Sequence, residues 1–305
     1  MHPTYVCVYQ YSHCCTYIFI HLSLWRNRLL PAEIINGSRL AQQIRSQIRK
    51  QLKAFTFKPG LAVVQVGDDP ASTLYIKYKQ RDCAKVHFHS EVHRLSAEIP
   101  QQTLIDKVNE LNARNDIHGI LVQMPLPDTI DEQTIIDAIT PNKDVDGLTP
   151  HNLGNLFINR ERVTPCTPTG IIRLIEASGE SIEGKHAVCV GRSHLVGKPV
   201  GIMLLNRNAT VTYCHSRTTN LTEMTRQADI LIAAVGKPEF ITAEMIKPGA
   251  IVIDVGINSV DDHLVGDVKF DDVIEIAGYI TPVPGGVGPL TRAMLLENTL
   301  KLASK

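Results

Sequence analysis

The stretch His186-Ala-Val-Cys-Val190 runs directly into Gly191-Arg-Ser-His-Leu-Val-Gly197, and Pro199 and Gly201 follow. The first five residues form a short apolar run with strand character, and the glycine ends it. Pro199 suits the first turn of a helix, where its missing N–H costs nothing. Strand, glycine turn and helix together open a parallel sheet covered by helices on both faces. The same alternation continues downstream. Thr210–Cys214 reads as a strand and 221–227 as a helix, and 229–235 and 250–254 read as further strands. This half of the chain resembles a doubly wound nucleotide-binding sheet.

Upstream, a second α/β unit is legible. Leu40, Ile44, Ile48 and Leu52 repeat at helical spacing after Gly37-Ser38, and 61–66 is a short apolar strand. Asp69 can cap a helix that has Pro70 at its first position and runs to about Lys85. The spacing predicts a strand over 87–95, a helix over 101–113, a strand over 119–123 and a helix over 131–139. With 305 residues, two domains of ordinary size are expected. The first covers 31–150 and is completed by 281–305; the second, Rossmann-like, covers 151–280.

The 31 basic residues balance the 31 acidic ones, which gives no footprint for nucleic acid or an anionic membrane. Seven cysteines are scattered without a Cys-x-x-Cys, a pattern of buried thiols in a reducing compartment, so a cytoplasmic protein is expected. Asp144-Val-Asp146 is too short an acidic pair to argue for a metal, and none is expected. Residues 1–30 contain no acid and fit neither unit. They read as an extra, disordered and dispensable extension, with a targeting segment as the alternative.

Four features point to a site. First, Thr281-Pro-Val-Pro-Gly-Gly-Val-Gly-Pro-Leu-Thr291 holds three prolines and three glycines and no charge, unlike a solvated linker. Such a segment forms a rigid loop that lets a flat ligand approach main chain. Second, Gly191 and Gly197 depart from Gly-x-Gly-x-x-Gly but still aim helix N-terminal amides at a phosphate. Third, the next strand ends in His215-Ser-Arg-Thr218, without the acid that would take a ribose 2′-hydroxyl. Ser216 and Arg217, with Arg192, suit a 2′-phosphate, so NADP is expected over NAD. Fourth, Tyr75 and Lys79 are four residues apart and share a helix face. Tyr-x-x-x-Lys also occurs in short-chain dehydrogenases, but there it follows the glycine turn, whereas here it precedes it in the other unit. Packing of the tyrosine and a surface-reaching lysine is the plain alternative.

Taken together, these stretches resemble the bifunctional methylenetetrahydrofolate dehydrogenase/cyclohydrolase family. The matching segments are Val66-Gly-Asp-Asp-Pro-Ala-Ser72 with Tyr75 and Lys79, Gly119-Ile-Leu-Val-Gln-Met-Pro-Leu126, Lys143-Asp-Val-Asp-Gly-Leu148 and Thr164-Pro-Cys-Thr-Pro-Thr-Gly170. The glycine turn at 191–199, Asp254-Val-Gly-Ile-Asn258 and the 281–289 loop complete the set, over about 33–305.

The resemblance implies NADP-dependent oxidation of 5,10-methylenetetrahydrofolate and hydrolysis of the methenyl product to 10-formyltetrahydrofolate. It implies Lys79 as the proton-transfer group with Gln123 as its partner, Tyr75 stacked on the folate ring, and Asp146 accepting hydrogen bonds from the pterin. Pro284, Gly285, Gly286 and Val287 would wall the folate site, and Gly191, Arg192, Ser193, Ser216 and Ile257 would hold the cofactor, joined by Arg217 on the reading of its own loop. The active site would lie between the two units of a homodimer's subunit. A dehydrogenase without cyclohydrolase activity is the first alternative and a non-catalytic folate- or nucleotide-binding protein the second; the presence of Lys79, Gln123 and Asp146 speaks against both. Synthetase activity is not expected, since no P-loop follows.

Overall fold

A computed structural model describes residues 31–261 and 263–304. The extension read at 1–30 lies outside the described residues. The first unit has a three-stranded parallel sheet in the order β3 (His89–Leu95), β2 (Gly60–Val66), β4 (Gly119–Val122). All seven residues of β2 are buried, because helices cover both faces of the sheet. These helices include α1 (Gly37–Gln51), α2 (Pro70–Lys85) and α3 (Gln101–Ala113). The predicted start of α1 shifts slightly: the Asn36 side chain accepts from the Arg39 N–H at 2.9 Å, so Asn36 caps and Gly37 is already helical. For α2 the cap is the expected Asp69, which accepts from the Ser72 N–H at 2.7 Å.

The second unit is a six-stranded parallel sheet. Its core strands are β5 (His186–Val190), β6 (Thr210–Cys214), β7 (Ile230–Ala233) and β8 (Ile251–Asp254). Beyond β8 lie β11 (Tyr279–Ile280) and then β1 (Glu33–Ile34), while β6 forms the other edge. The chain leaves β5 toward β6 and then returns across β5 to β7. That reversal opens a crevice at the carboxyl ends of the strands, the usual ligand position in such sheets. A short antiparallel hairpin, β9 (Asn258–Val260) with β10 (His263–Val265), follows β8.

Glu33 and Ile34, placed by sequence with the first unit, thus pair in register with Tyr279 and Ile280 of the second unit's sheet. A two-residue strand leaves no periodic trace in sequence, and only its partner identifies it. The last helix, α10 (Val287–Ala303), is buried almost all round rather than on one stripe. Such a helix belongs in an interior. It contributes Leu290, Met294 and Leu296 to a core that also contains Leu61 and Val63 of one sheet and Ile232 and Ile253 of the other. Buried Asn298 donates from Nδ2 to the carbonyls of Val145 and Thr164, both at 2.9 Å. The helix therefore anchors both units and the chain between them.

Candidate active site

Lys79 projects from α2 toward the residue following β4. Its Nζ donates to Gln123 Oε1 at 2.7 Å, and Gln123 Nε2 donates in turn to the Met124 carbonyl at 2.7 Å. The second bond orients the amide, so its oxygen faces the amine. Desolvation by burial lowers the pKa of Lys79, while the charge of Asp146 opposes this and the Arg292 guanidinium adds to it. The neutral glutamine holds the amine without supplying a charge that would keep it protonated.

Asp146 lies in a turn built by its neighbours. Lys143 Nζ donates to the carbonyls of Leu111 and Asn112 at 3.0 and 2.7 Å, and to that of Arg114, closing the carboxyl end of α3. Buried Asp144 accepts from Gly147 N, Thr149 N and Asn152 Nδ2, each at 2.8 Å. Asp144 is thereby consumed in shaping the backbone, and Asp146 alone is presented to the cleft. Desolvation raises the pKa of Asp146, and the Lys79 charge offsets part of the rise.

Lys79, Gln123 and Asp146 line one cavity of about 160 Å³ together with Cys166, Thr291 and Leu195. Leu195 comes from the turn after β5, so the cavity lies between the two units. A larger hollow of about 640 Å³ near the end of α1 contains none of these groups. Cys166, Leu195 and Thr291 all lie inside stretches quoted from the sequence, but none was given a role of its own. Cys166 is buried, its Sγ donates to the Val145 carbonyl at 3.2 Å, and desolvation holds its thiol well above the ordinary range, so it is a packing group. Tyr75 is half-buried one turn before Lys79 and is not part of that cavity's lining.

The 281–287 loop is fixed from behind: Ser38 N donates to the Gly285 carbonyl at 3.0 Å. Pro284 is exposed and Gly285 half-buried, but Gly286 and Val287 are buried. Val287 is 5% exposed and packs in the core. As the first residue of α10, its side chain is directed by the helix.

At the other end of the cleft, Gly191 has φ 130°, and a Cβ there would meet the Ala234 carbonyl oxygen at 2.2 Å. Only glycine fits. Gly191 N donates to the Cys214 carbonyl at 2.9 Å, which extends the pairing of Val190 with Cys214. Arg192 and Ser216 therefore leave the sheet at the same edge. Both are exposed, as are Arg217 and Ile257. The side chains of Arg192, Ser216 and Arg217 have no hydrogen bond or ion pair among the described residues. Ser193 Oγ is partly occupied, accepting from Val196 N at 3.1 Å and Gly197 N at 3.4 Å. The main-chain cradle at Gly191 and the exposed donors of Arg192, Ser216 and Arg217 are chemically suited to a phosphorylated dinucleotide.

Comparison with known proteins agrees with this geometry. The model of the tetrahydrofolate dehydrogenase/cyclohydrolase catalytic domain matches residues 35–146, and that of the NAD(P)-binding domain matches 165–305. The bifunctional protein FolD of Moorella thermoacetica is 56% identical over 280 residues, covering 90% of this chain and all of that protein. Its counterpart from Geobacillus kaustophilus is 53% identical, covering 90% and 98%. The crystal structure of the bifunctional FolD enzyme from Campylobacter jejuni superposes with a TM-score of 0.87 at 44% identity, covering 89% of this chain and 98% of that one. A Trypanosoma brucei dehydrogenase-cyclohydrolase, complexed with NADP cofactor and inhibitor, gives 0.87 at 37% identity, covering 90% and 98%.

Proposed function

The chain belongs to the tetrahydrofolate dehydrogenase/cyclohydrolase family, and we propose that it oxidises 5,10-methylenetetrahydrofolate with NADP⁺ and hydrolyses the product to 10-formyltetrahydrofolate. The observation that carries this reading is the Lys79–Gln123 bond beside Asp146 in a cavity reached from both units.

NADP⁺, when bound, accepts the hydride released from the methylene carbon. The protein's part in that step is positioning: the edge at Gly191, Arg192 and Ser216 faces the same cleft as the folate pocket. Tyr75 stacks on the folate ring system, and Pro284 and Gly285 close its other side. Asp146 accepts hydrogen bonds from the pterin amino group and ring N–H. Hydrolysis asks for more. Water must add to the methenyl carbon, and a proton must leave that water and reach the departing ring nitrogen. Lys79, with its pKa lowered by desolvation, has a lone pair available to take the proton and return it. Gln123 keeps the amine aimed into the cleft throughout. The presence of both groups disfavours a dehydrogenase without cyclohydrolase activity.

We place the protein in a reducing, cytoplasmic compartment, a reading supported by free buried thiols at Cys83, Cys166, Cys189 and Cys214. No helix among the described residues is long and apolar enough to cross a membrane. A homodimer is supported by the edge position of β6, with Tyr213 on it exposed, and by exposed Phe157, Ile158 and Leu205. The deciding assay mixes purified protein, methylenetetrahydrofolate and NADP⁺ and follows methenyl absorbance and 10-formyl product together. Absence of methenyl formation removes the dehydrogenase, and failure to hydrolyse supplied methenyltetrahydrofolate removes the cyclohydrolase.

A further inference from the structure

Two buried aspartates behind the cofactor edge have no part in the mechanism above. Asp254 ends β8 and is 3% exposed; Asp267, just past the β9–β10 hairpin, is fully buried. Asp254 Oδ1 accepts from Gly256 N and Asp267 N, both at 2.9 Å, and Oδ2 accepts from Val268 N at 3.0 Å. Asp267 Oδ2 accepts from Val235 N at 2.6 Å and Gly236 N at 2.9 Å. Its Oδ1 accepts from Lys237 N and Asn258 Nδ2, both at 3.0 Å. A Cβ on Gly266 would lie 1.7 Å from Asp254 Oδ2, so that position too is fitted to the pair.

No donor in this network comes from a strand interior: Asn258 opens β9, and the others lie outside the named strands. The turn at 235–237 follows β7, and 256–258 follows β8, each at the carboxyl end where the cofactor edge lies. Asn258 adjoins Ile257, whose side chain is 49% exposed toward solvent. The strands beneath, Ile230–Ala233 and Ile251–Asp254, pair with one another and are buried without help from Asp267. Burial raises the pKa of Asp254 to about 6, and the Asp267 charge adds to the rise.

We propose that Asp267 is a positioning residue for the nicotinamide cofactor, clamping the 235–237 turn and, through Asn258, the segment that carries Ile257. The ionised carboxylate offers acceptors on both oxygens, so it can gather four donors from two loops that have no bond to each other. An amide of the same shape cannot, because its nitrogen would face N–H groups. The proposal rests on the NADP-dependent reading above, and it assigns Asp267 to the dehydrogenase half of the chemistry alone.

The test compares wild type with Asp267→Asn in four measurements: NADP⁺ affinity by calorimetry, hydrolysis of methenyltetrahydrofolate without NADP⁺, amide hydrogen exchange, and melting temperature. Charge-assisted bonds of this kind correspond to about 10- to 100-fold in affinity, so NADP⁺ should bind weaker by about that factor. Cofactor-free hydrolysis should stay within about twofold of wild type, a range far below the 10-fold that one lost charge-assisted bond produces. Exchange should accelerate at Val235, Gly236 and Lys237 while remaining slow at Val188 and Val190. Unchanged NADP⁺ affinity overturns the proposal, as does a parallel fall in hydrolysis and melting temperature, which marks a general role in folding. Should Asp267→Asn fail to fold, Asn258→Ala removes one of the four donors and keeps the carboxylate; weaker NADP⁺ binding with intact hydrolysis is then expected, and wild-type affinity overturns the proposal. A wild-type protein that binds NADP⁺ but does not oxidise methylenetetrahydrofolate refutes the assigned reaction, and the affinity comparison still decides the clamp. A wild-type protein that does not bind NADP⁺ overturns both.

Discussion

The two ends of the cleft are built on opposite plans. At Lys79 the polar groups are half-buried and already bonded to protein: amine to Gln123, and the Asp146 turn held by Asp144 and Lys143. At the cofactor edge, Arg192, Ser216 and Arg217 stand exposed, and the backbone beneath them is fixed instead. The difference follows from the tasks. A group that moves protons needs a pKa displaced by its surroundings, which requires burial and fixed partners. A group that binds a diffusing polyanion must keep its donors free until the ligand arrives, and the protein supplies only the frame.

The sharpest way to break this contrast is Lys79→Met. General acid–base groups contribute about 10² to 10⁴-fold, so cyclohydrolase activity should fall by that order while NADP⁺ affinity stays near wild type. Full hydrolysis by the folded variant would show that Lys79 is only a packing group. Arg192→Ala should act at the other end. Losing one charge-assisted contact to the 2′-phosphate should raise the NADP⁺ Michaelis constant about 10- to 100-fold and leave NAD⁺ kinetics nearly unchanged. Equal losses for both cofactors would assign Arg192 to the pyrophosphate or the fold.

Ionic strength separates the two ends without mutation. Exposed charges are screened over about 8 Å at 0.15 M salt. Raising salt from 0.05 to 0.5 M should therefore increase the NADP⁺ Michaelis constant several-fold while cyclohydrolysis of methenyltetrahydrofolate barely changes; equal sensitivity would erase the distinction. The smallest expected effect is in the pH profile. Burial lowers the pKa of Lys79 in the folded protein, and the proposed mechanism uses the neutral amine as the proton acceptor. Cyclohydrolase activity should thus rise with pH and level off below the range of a free lysine, about 10.4. An inflection at the free-lysine value would mean that Lys79 is not desolvated in solution.

Much of this site was legible before any coordinates. Tyr75 and Lys79 share a face because 3.6 residues per turn places them there, and Gly191 marked the turn from strand to helix. The start of α10 at Val287 was not legible, because a glycine- and proline-rich neighbourhood marks a loop without revealing where the next helix begins. Spacing alone did not separate Asp144 from Asp146; the family resemblance singled out Asp146, and the structure shows Asp144 accepting three hydrogen bonds from its neighbours.

By itself, then, the sequence determined the elements and their class. Helix and strand periodicity, caps such as Asp69, and glycine turns are local signals, written within a few residues of what they specify. Only the tertiary structure decided which distant groups meet. It placed Glu33–Ile34 on the far edge of the second sheet and set Asp267 behind the turn at 235–237. Those pairings arise from packing α10 between two sheets and burying groups whose hydrogen bonds must then be met by whatever lies beside them.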